Sequence, residues 1–109
     1  MVPSGRGAVV LVPFPFSDLS ETKLRPAVVL ARVGKGDWIL CQVTSNVYGD
    51  PQAIKLLPED FQTGGLRIVS YARPGKLFTA NESLFRRTAG ELTEGGILKI
   101  RQAVRSLFE

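Results

Sequence analysis

Residues 25–46 read RPAVVLARVGKGDWILCQVTSN, and the fold turns on how this stretch is read. Two apolar runs rich in β-branched residues flank Gly34-Lys35-Gly36-Asp37, a cluster of turn formers. Short apolar runs bounded by such residues are strands, and the cluster between them is a hairpin turn. Pro26 has no N–H for a ladder, so it fits only at the first residues or the edge of a strand, which puts Arg25 at the strand's mouth. In the second run Trp38, Leu40, Gln42 and Thr44 take one face and Ile39, Cys41, Val43 and Ser45 the other, by the period-two rule. Hairpin strands run antiparallel. Counted outward from the turn, Arg25 and Thr44 emerge at the same end.

Outward from this hairpin the pattern repeats. GAVVLVPF (7–14) is a buried strand. Residues 15–24 form a surface loop, because Pro15, Ser17, Asp18 and Ser20 are turn formers. A second loop covers 46–52. AIKLL (53–57) is a strand, PEDF (58–61) a short helical turn, and Gly64-Gly65 a turn. LRIVSYAR (66–73) and KLFTAN (76–81) are strands separated by Pro74-Gly75, and SLFRRTA (83–89) is another short strand. Helical spacing begins only at Thr93. Ile97, Ile100, Val104, Leu107 and Phe108 then fall on one side, with Lys99, Arg101 and Arg105 mostly on the other. Thr93 is suited to cap that helix and Glu94 to complement its dipole, whereas Gly95 and Gly96 weaken the first turn. Short strands with frequent turns followed by one helix predict a mainly β fold: a small antiparallel barrel with a C-terminal helix. No repeat, linker or low-complexity segment divides the chain, so 1–109 is expected to be a single domain.

Composition narrows the chemistry. The chain has 109 residues, 44% of them hydrophobic and 22% charged, which places it among globular sequences. It has no histidine and one cysteine, Cys41. An internal disulfide is thereby excluded, a reducing cytoplasm is the expected compartment, and zinc or other transition-metal sites are disfavoured. No apolar run approaches the ~18 residues of a membrane span, and Pro13 and Pro15 interrupt the apolar stretch at the N-terminus. The net charge of +4 suits a polyanion such as RNA or DNA, an acidic protein partner, or simply a soluble surface.

Common catalytic constellations fail on these residues. Without histidine there is no Ser-His-Asp or Cys-His arrangement. Cys41 sits in an apolar strand and reads as a buried small hydrophobe. Gly34-Lys35-Gly36 lacks the spacing and the helix of a phosphate loop. What remains is arginine with hydroxyls. The Arg25 guanidinium matches phosphate oxygens as a planar, permanently charged fork. Thr44 and Ser45 add short donors, and Arg73 offers a second positive charge. On the residues alone, an arginine beside a proline is more often a solvated charge, and Thr44-Ser45-Asn46 more often a turn.

The run GAVVLVPFPFSDLSETKLRPAVVLAR resembles the opening of MazF/PemK-like toxins of type II toxin–antitoxin pairs. The resemblance continues through DWILCQVTSNVYGDP, GGLRIVSYARPGKLFTANESL and AGELTEGGILKIRQAV, and so covers nearly the whole chain. Its most specific parts are K-x-R-P-A-V-V-L and the strand ending T-S-N. It implies an SH3-like (CcdB/PemK-like) barrel, a homodimer, and metal-independent cleavage of single-stranded RNA that leaves a 2′,3′-cyclic phosphate and a 5′-hydroxyl. It also implies an antitoxin whose acidic, flexible C-terminal segment blocks the site. By the same resemblance Arg25 and Thr44 are catalytic, flanked by Ser45 and Asn46, with no cofactor. Phe16 and Tyr48, on the two loops, are placed to stack on unpaired bases, although Phe16 equally suits core packing and Tyr48 a loop anchor. Leu84, Phe85 and Phe108 offer an apolar face to a second copy.

Ser70 stands where some members of that family carry an aspartate, and the first-loop histidine of others is missing. The resemblance therefore assigns no general base. A binding barrel without catalysis is the alternative expectation. A gyrase-directed poison fits less well, because the tail reads RSLFE and the single tryptophan, Trp38, is far from it.

Overall fold

The computed structural model describes residues 5–15, 22–47 and 49–109. The chain forms β1 (Ala8–Pro15), β2 (Thr22–Arg32), β3 (Asp37–Thr44), β4 (Ile54–Leu56), β5 (Phe61–Gly64), β6 (Ser70–Asn81) and β7 (Arg87–Leu92), then the helix α1 (Glu94–Ser106). Short 3₁₀ turns cover Pro58–Asp60 and Glu82–Leu84. The strands make one sheet in the order β4-β6-β3-β2-β1-β7-β5, and every pairing is antiparallel. The sheet curls into a half-barrel with the helix against it, the mainly β fold expected from the sequence. No helix among the described residues is long and apolar enough to cross a membrane.

The central strands bury both faces, which is why they read as continuous apolar runs. Val9, Val28, Cys41, Val43 and Ala72 share one face, where Ile97 and Ile100 of α1 cover them. Their sequence neighbours Ala8, Val10, Val12, Ala27, Val29 and Leu40 share the other. Phe14, Trp38, Phe78 and Phe85 close that second cluster. Phe14 and Phe78 meet edge-to-face, with ring centroids 4.7 Å apart, a geometry that aligns one ring's positive rim with the other's negative face.

Several features depart from the sequence reading: Pro15 and residues 22–24, expected in a loop, belong to β1 and β2, and the strand expected at 83–89 is a 3₁₀ turn followed by β7. The strands expected at 66–73 and 76–81 are one strand, β6, which runs unbroken through Pro74-Gly75 and begins only at Ser70. Its ladder with β3 jumps from Cys41↔Leu77 to Val43↔Ala72, so residues 73–76 bow out opposite Gln42 alone. Pro74, fully buried, thus sits in a bulge where no ladder donor is required. The helical turn expected at 58–61 ends one residue early, and Phe61 instead opens β5.

At the helix start, Thr93 Oγ1 accepts the Gly96 N–H at 3.1 Å, the expected cap. Gly96, unfavourable in a helix by propensity, is needed for close approach: a Cβ there would lie 2.9 Å from the Asp60 carbonyl oxygen. Asp60 ties this end together. Its carboxylate accepts the Leu57 N–H and the Lys99 ammonium, each at 2.8 Å, while its carbonyl accepts the Thr93 N–H at 2.7 Å.

Burial pushes the Asp60 carboxyl up, but Lys99 and the Leu57 N–H outweigh it and hold the group below the ordinary aspartate range. A carboxyl depressed on folding stabilises the fold above its unfolded value of about 3.9, and that contribution is lost as pH falls through the folded value. Asp60→Asn is therefore expected to be less stable than the wild type at pH 7, with the gap closing in acid. Urea melts at stepped pH check this; a gap that stays constant would refute it.

Candidate active site

The β2–β3 ladder pairs Ala27 with Gln42. Two residues further from the turn stand Arg25 on β2 and Thr44, the last residue of β3. Stepping by two keeps each on the face of its paired neighbour, so the two share an end and a face. Arg25 is half-buried and paired across β1 with Val12. Both line a cavity of about 360 Å³, together with Ser45 and Ser70.

The hydroxyls are held locally. Thr44, only 5% exposed, accepts the Asn46 N–H at 3.1 Å and donates to the Asn46 carbonyl at 3.0 Å. A hydroxyl has one proton to donate, so Thr44 can donate to a phosphate oxygen only by giving up the Asn46 carbonyl. Ser70 donates to the Ile68 carbonyl at 2.8 Å and so folds the loop 65–69 back against the start of β6. Asn46 contributes main-chain groups to Thr44 and is exposed, outside the cavity lining.

Arg73 lies elsewhere. Its Nε donates to Asp50 at 2.8 Å, and the pair is mostly shielded from solvent. The Arg73 hydrogen bond, helped by the Gln52 N–H, holds the Asp50 carboxyl below its ordinary range. This pair fastens the loop between β3 and β4 over β6. Phe16 and Tyr48 lie outside the described residues. Cys41 is buried, and burial pushes its thiol up to about 12 despite the Arg73 carbonyl nearby, so it stays protonated and unreactive.

Lys23 and Arg67 also line the cavity, beside Leu24, Leu66 and Ile68. Neither cation was singled out from the sequence. Arg67 was hidden in the run LRIVSYAR, read there as a strand; the structure puts it in the loop before β6. That loop springs from a tight crossing. Gly64 pairs with Gly90 at φ +66°, and a Cβ on Gly64 would collide with the Ala89 carbonyl. Among the described residues no carboxylate lines this cavity, and no three His, Cys, Asp or Glu side chains converge to hold a metal. Its described wall supplies cations and hydroxyls, the means to bind and polarise an anion.

A model of the PemK-like, MazF-like toxin of type II toxin–antitoxin systems matches residues 5–108. No curated protein matches the chain by sequence. Among solved structures, the MazE–MazF complex of Deinococcus radiodurans (form II) is similar at 23% identity and a TM-score of 0.77, covering 99% of this chain and 96% of that one. An endoribonuclease in complex with its cognate antitoxin from Mycobacterial species is similar at 16% identity and a TM-score of 0.73, covering 99% and 95%. The Mycobacterium tuberculosis toxin MazF-mt6 is similar at 17% identity and a TM-score of 0.65, covering 91% and 95%. At these identities the likeness is one of fold.

Proposed function

We propose, from the premise that this chain belongs to the PemK-like, MazF-like toxin family, that it is an endoribonuclease acting on single-stranded RNA. One observation carries the reading: Arg25 and Thr44, from neighbouring strands, line the same cavity. The RNA 2′-hydroxyl attacks the adjacent phosphorus, the 5′-oxygen leaves and takes a proton, and the products are a 2′,3′-cyclic phosphate and a 5′-hydroxyl. Arg25 offsets the charge that builds on the non-bridging oxygens, and the Thr44 hydroxyl fixes one of them so that attack and departure stay in line. Ser45 and Asn46 would bind the strand, and Phe16 and Tyr48, outside the described residues, would stack on its unpaired bases.

The same cationic rim suits the acidic, flexible C-terminal segment of a cognate antitoxin, which would block the site by occupying it. Exposed Leu84 and Phe108 suit a homodimer contact, and the protein would work in the cytoplasm. A non-catalytic RNA-binding role is favoured by one observation, the absence of a carboxylate among the described lining residues.

Incubation with unstructured RNA in EDTA separates the two. Cleavage to 5′-hydroxyl ends supports the nuclease; retention of uncut RNA supports the binder. Thr44→Val, which keeps the shape and removes the hydroxyl, is expected to slow single-turnover cleavage by about 100-fold, the lower end of the cost of losing an oxygen-holding donor. An unchanged rate would remove Thr44 from the mechanism.

A further inference from the structure

A second, larger cavity adjoins the first. It measures about 610 Å³ and is lined by Leu57, Pro58, Phe61 and Val69, among others. The two cavities share Leu66, Arg67, Ile68 and Ser70, so Arg67 stands on the divide between them. Arg67 is exposed and has no hydrogen-bond or ion-pair partner among the described residues. Arg73 differs in just this respect, since Asp50 takes its charge.

We propose that Arg67 is the second phosphate-binding cation of the site and that the adjoining cavity receives the nucleotide next to the scissile phosphate. This rests on the endoribonuclease reading and names where the neighbouring nucleotide goes. An RNA strand alternates a charged phosphate with a flat, largely apolar base. The two cavities repeat that alternation: cations and hydroxyls in the first, Arg67 at the divide, then a mainly apolar pocket lined by Phe61, Leu66 and Pro58, with Lys55 also among its lining residues. Apolar and aromatic walls hold unpaired bases by their faces, and an unpaired guanidinium holds a phosphate as a fork. Both volumes fall within the range of about 300–1,000 Å³ that ligand sites occupy. The Ser70–Ile68 hydrogen bond and the Gly64–Gly90 crossing anchor the two ends of the loop that carries Arg67.

The test uses a fully 2′-O-methyl oligoribonucleotide, which lacks the attacking hydroxyl and cannot be cut. Its affinity is measured by fluorescence anisotropy across a series of salt concentrations. Each phosphate contact on a single strand contributes about 0.7 to the slope of log K against log salt. Arg67→Gln is expected to lower that slope by about 0.7 and to raise KM for cleavable RNA more than it lowers kcat. Arg105→Gln, an exposed cation in the last turn of α1 that lines neither cavity, is expected to leave the slope unchanged. Phe61→Leu is expected to alter which bases flank the cut while the protein still melts cooperatively.

An unmoved slope in Arg67→Gln, with wild-type binding and cleavage intact, overturns the inference and leaves the nuclease reading standing. Binding without cleavage in the wild type rejects the nuclease reading, yet the slope still decides whether Arg67 touches a phosphate. If the slope is unmoved while Arg67→Gln weakens capture of an acidic peptide, the divide belongs to a protein partner and the inference fails.

Discussion

Arg25→Ala is expected to slow single-turnover RNA cleavage by at least about 10²–10³-fold, the cost of removing one preorganised charge donor from a developing oxyanion. The loss should fall on kcat. The guanidinium interacts most strongly with the dianionic phosphorane-like state, where an extra negative charge has built up, and binding to the ground state draws on the other lining cations as well. Arg25→Lys should recover only part of the rate, because an ammonium is a point charge and cannot bridge two oxygens as a planar fork does. The residue is half-buried at the mouth of β2, so each variant is paired with a thermal melt to separate chemistry from folding. A rate within about threefold of wild type, in a variant that melts normally, would remove Arg25 from the reaction and with it the nuclease assignment.

Ile100→Ala is expected to give the largest loss of stability, about 2–5 kcal/mol. Ile100 is 0% exposed and touches the helix-covered cluster, where Val9, Val28, Cys41 and Val43 meet α1. Truncation leaves a cavity that the close-packed strands against α1 cannot collapse to fill. For a domain of this size that corresponds to a fall in melting temperature of roughly 10–25 °C, out of a total stability of about 5–15 kcal/mol. Leu98, two residues away and 47% exposed, provides the control. Leu98→Ala should cost under about 1 kcal/mol, as surface substitutions do. Equal shifts for the two variants would mean that α1 does not seat on the sheet as described.

The β2–β3 hairpin was legible because its signals are local: two apolar runs, a glycine-rich turn between them, and a proline that fixes one mouth. The helix was legible from its spacing and its threonine cap. What was not legible depended on partners distant in the chain. Gly96 looked like a weakness because Asp60, against which it fits, lies far upstream. Pro74 looked like a strand break because its bulge is defined by the register with β3. The two arginines of LRIVSYAR could not be told apart for the same reason. Both stood in one run read as a strand, but Asp50 neutralises Arg73 from a different loop, and the strand starts too late to include Arg67. Sequence reasoning placed Arg25 and Thr44 at one end of the hairpin, and both line one cavity; Arg73 is not among the residues that line it, whereas Arg67 is.

The strand order β4-β6-β3 bears on how the chain is born. β4 is made directly after β3 yet cannot pair with it, because β6, synthesised later, must slot between them. On the ribosome the first half of the protein can close its hairpins, but the outer edge of β3 stays open until β6, which ends at Asn81, has left the exit tunnel, and Leu66 and Ser70 take their places only when β6 pairs. A truncated or nascent polypeptide therefore holds Arg25 and Thr44 without the rest of their enclosure. For a cell translating a poison, the hazard is postponed until nearly the whole molecule exists.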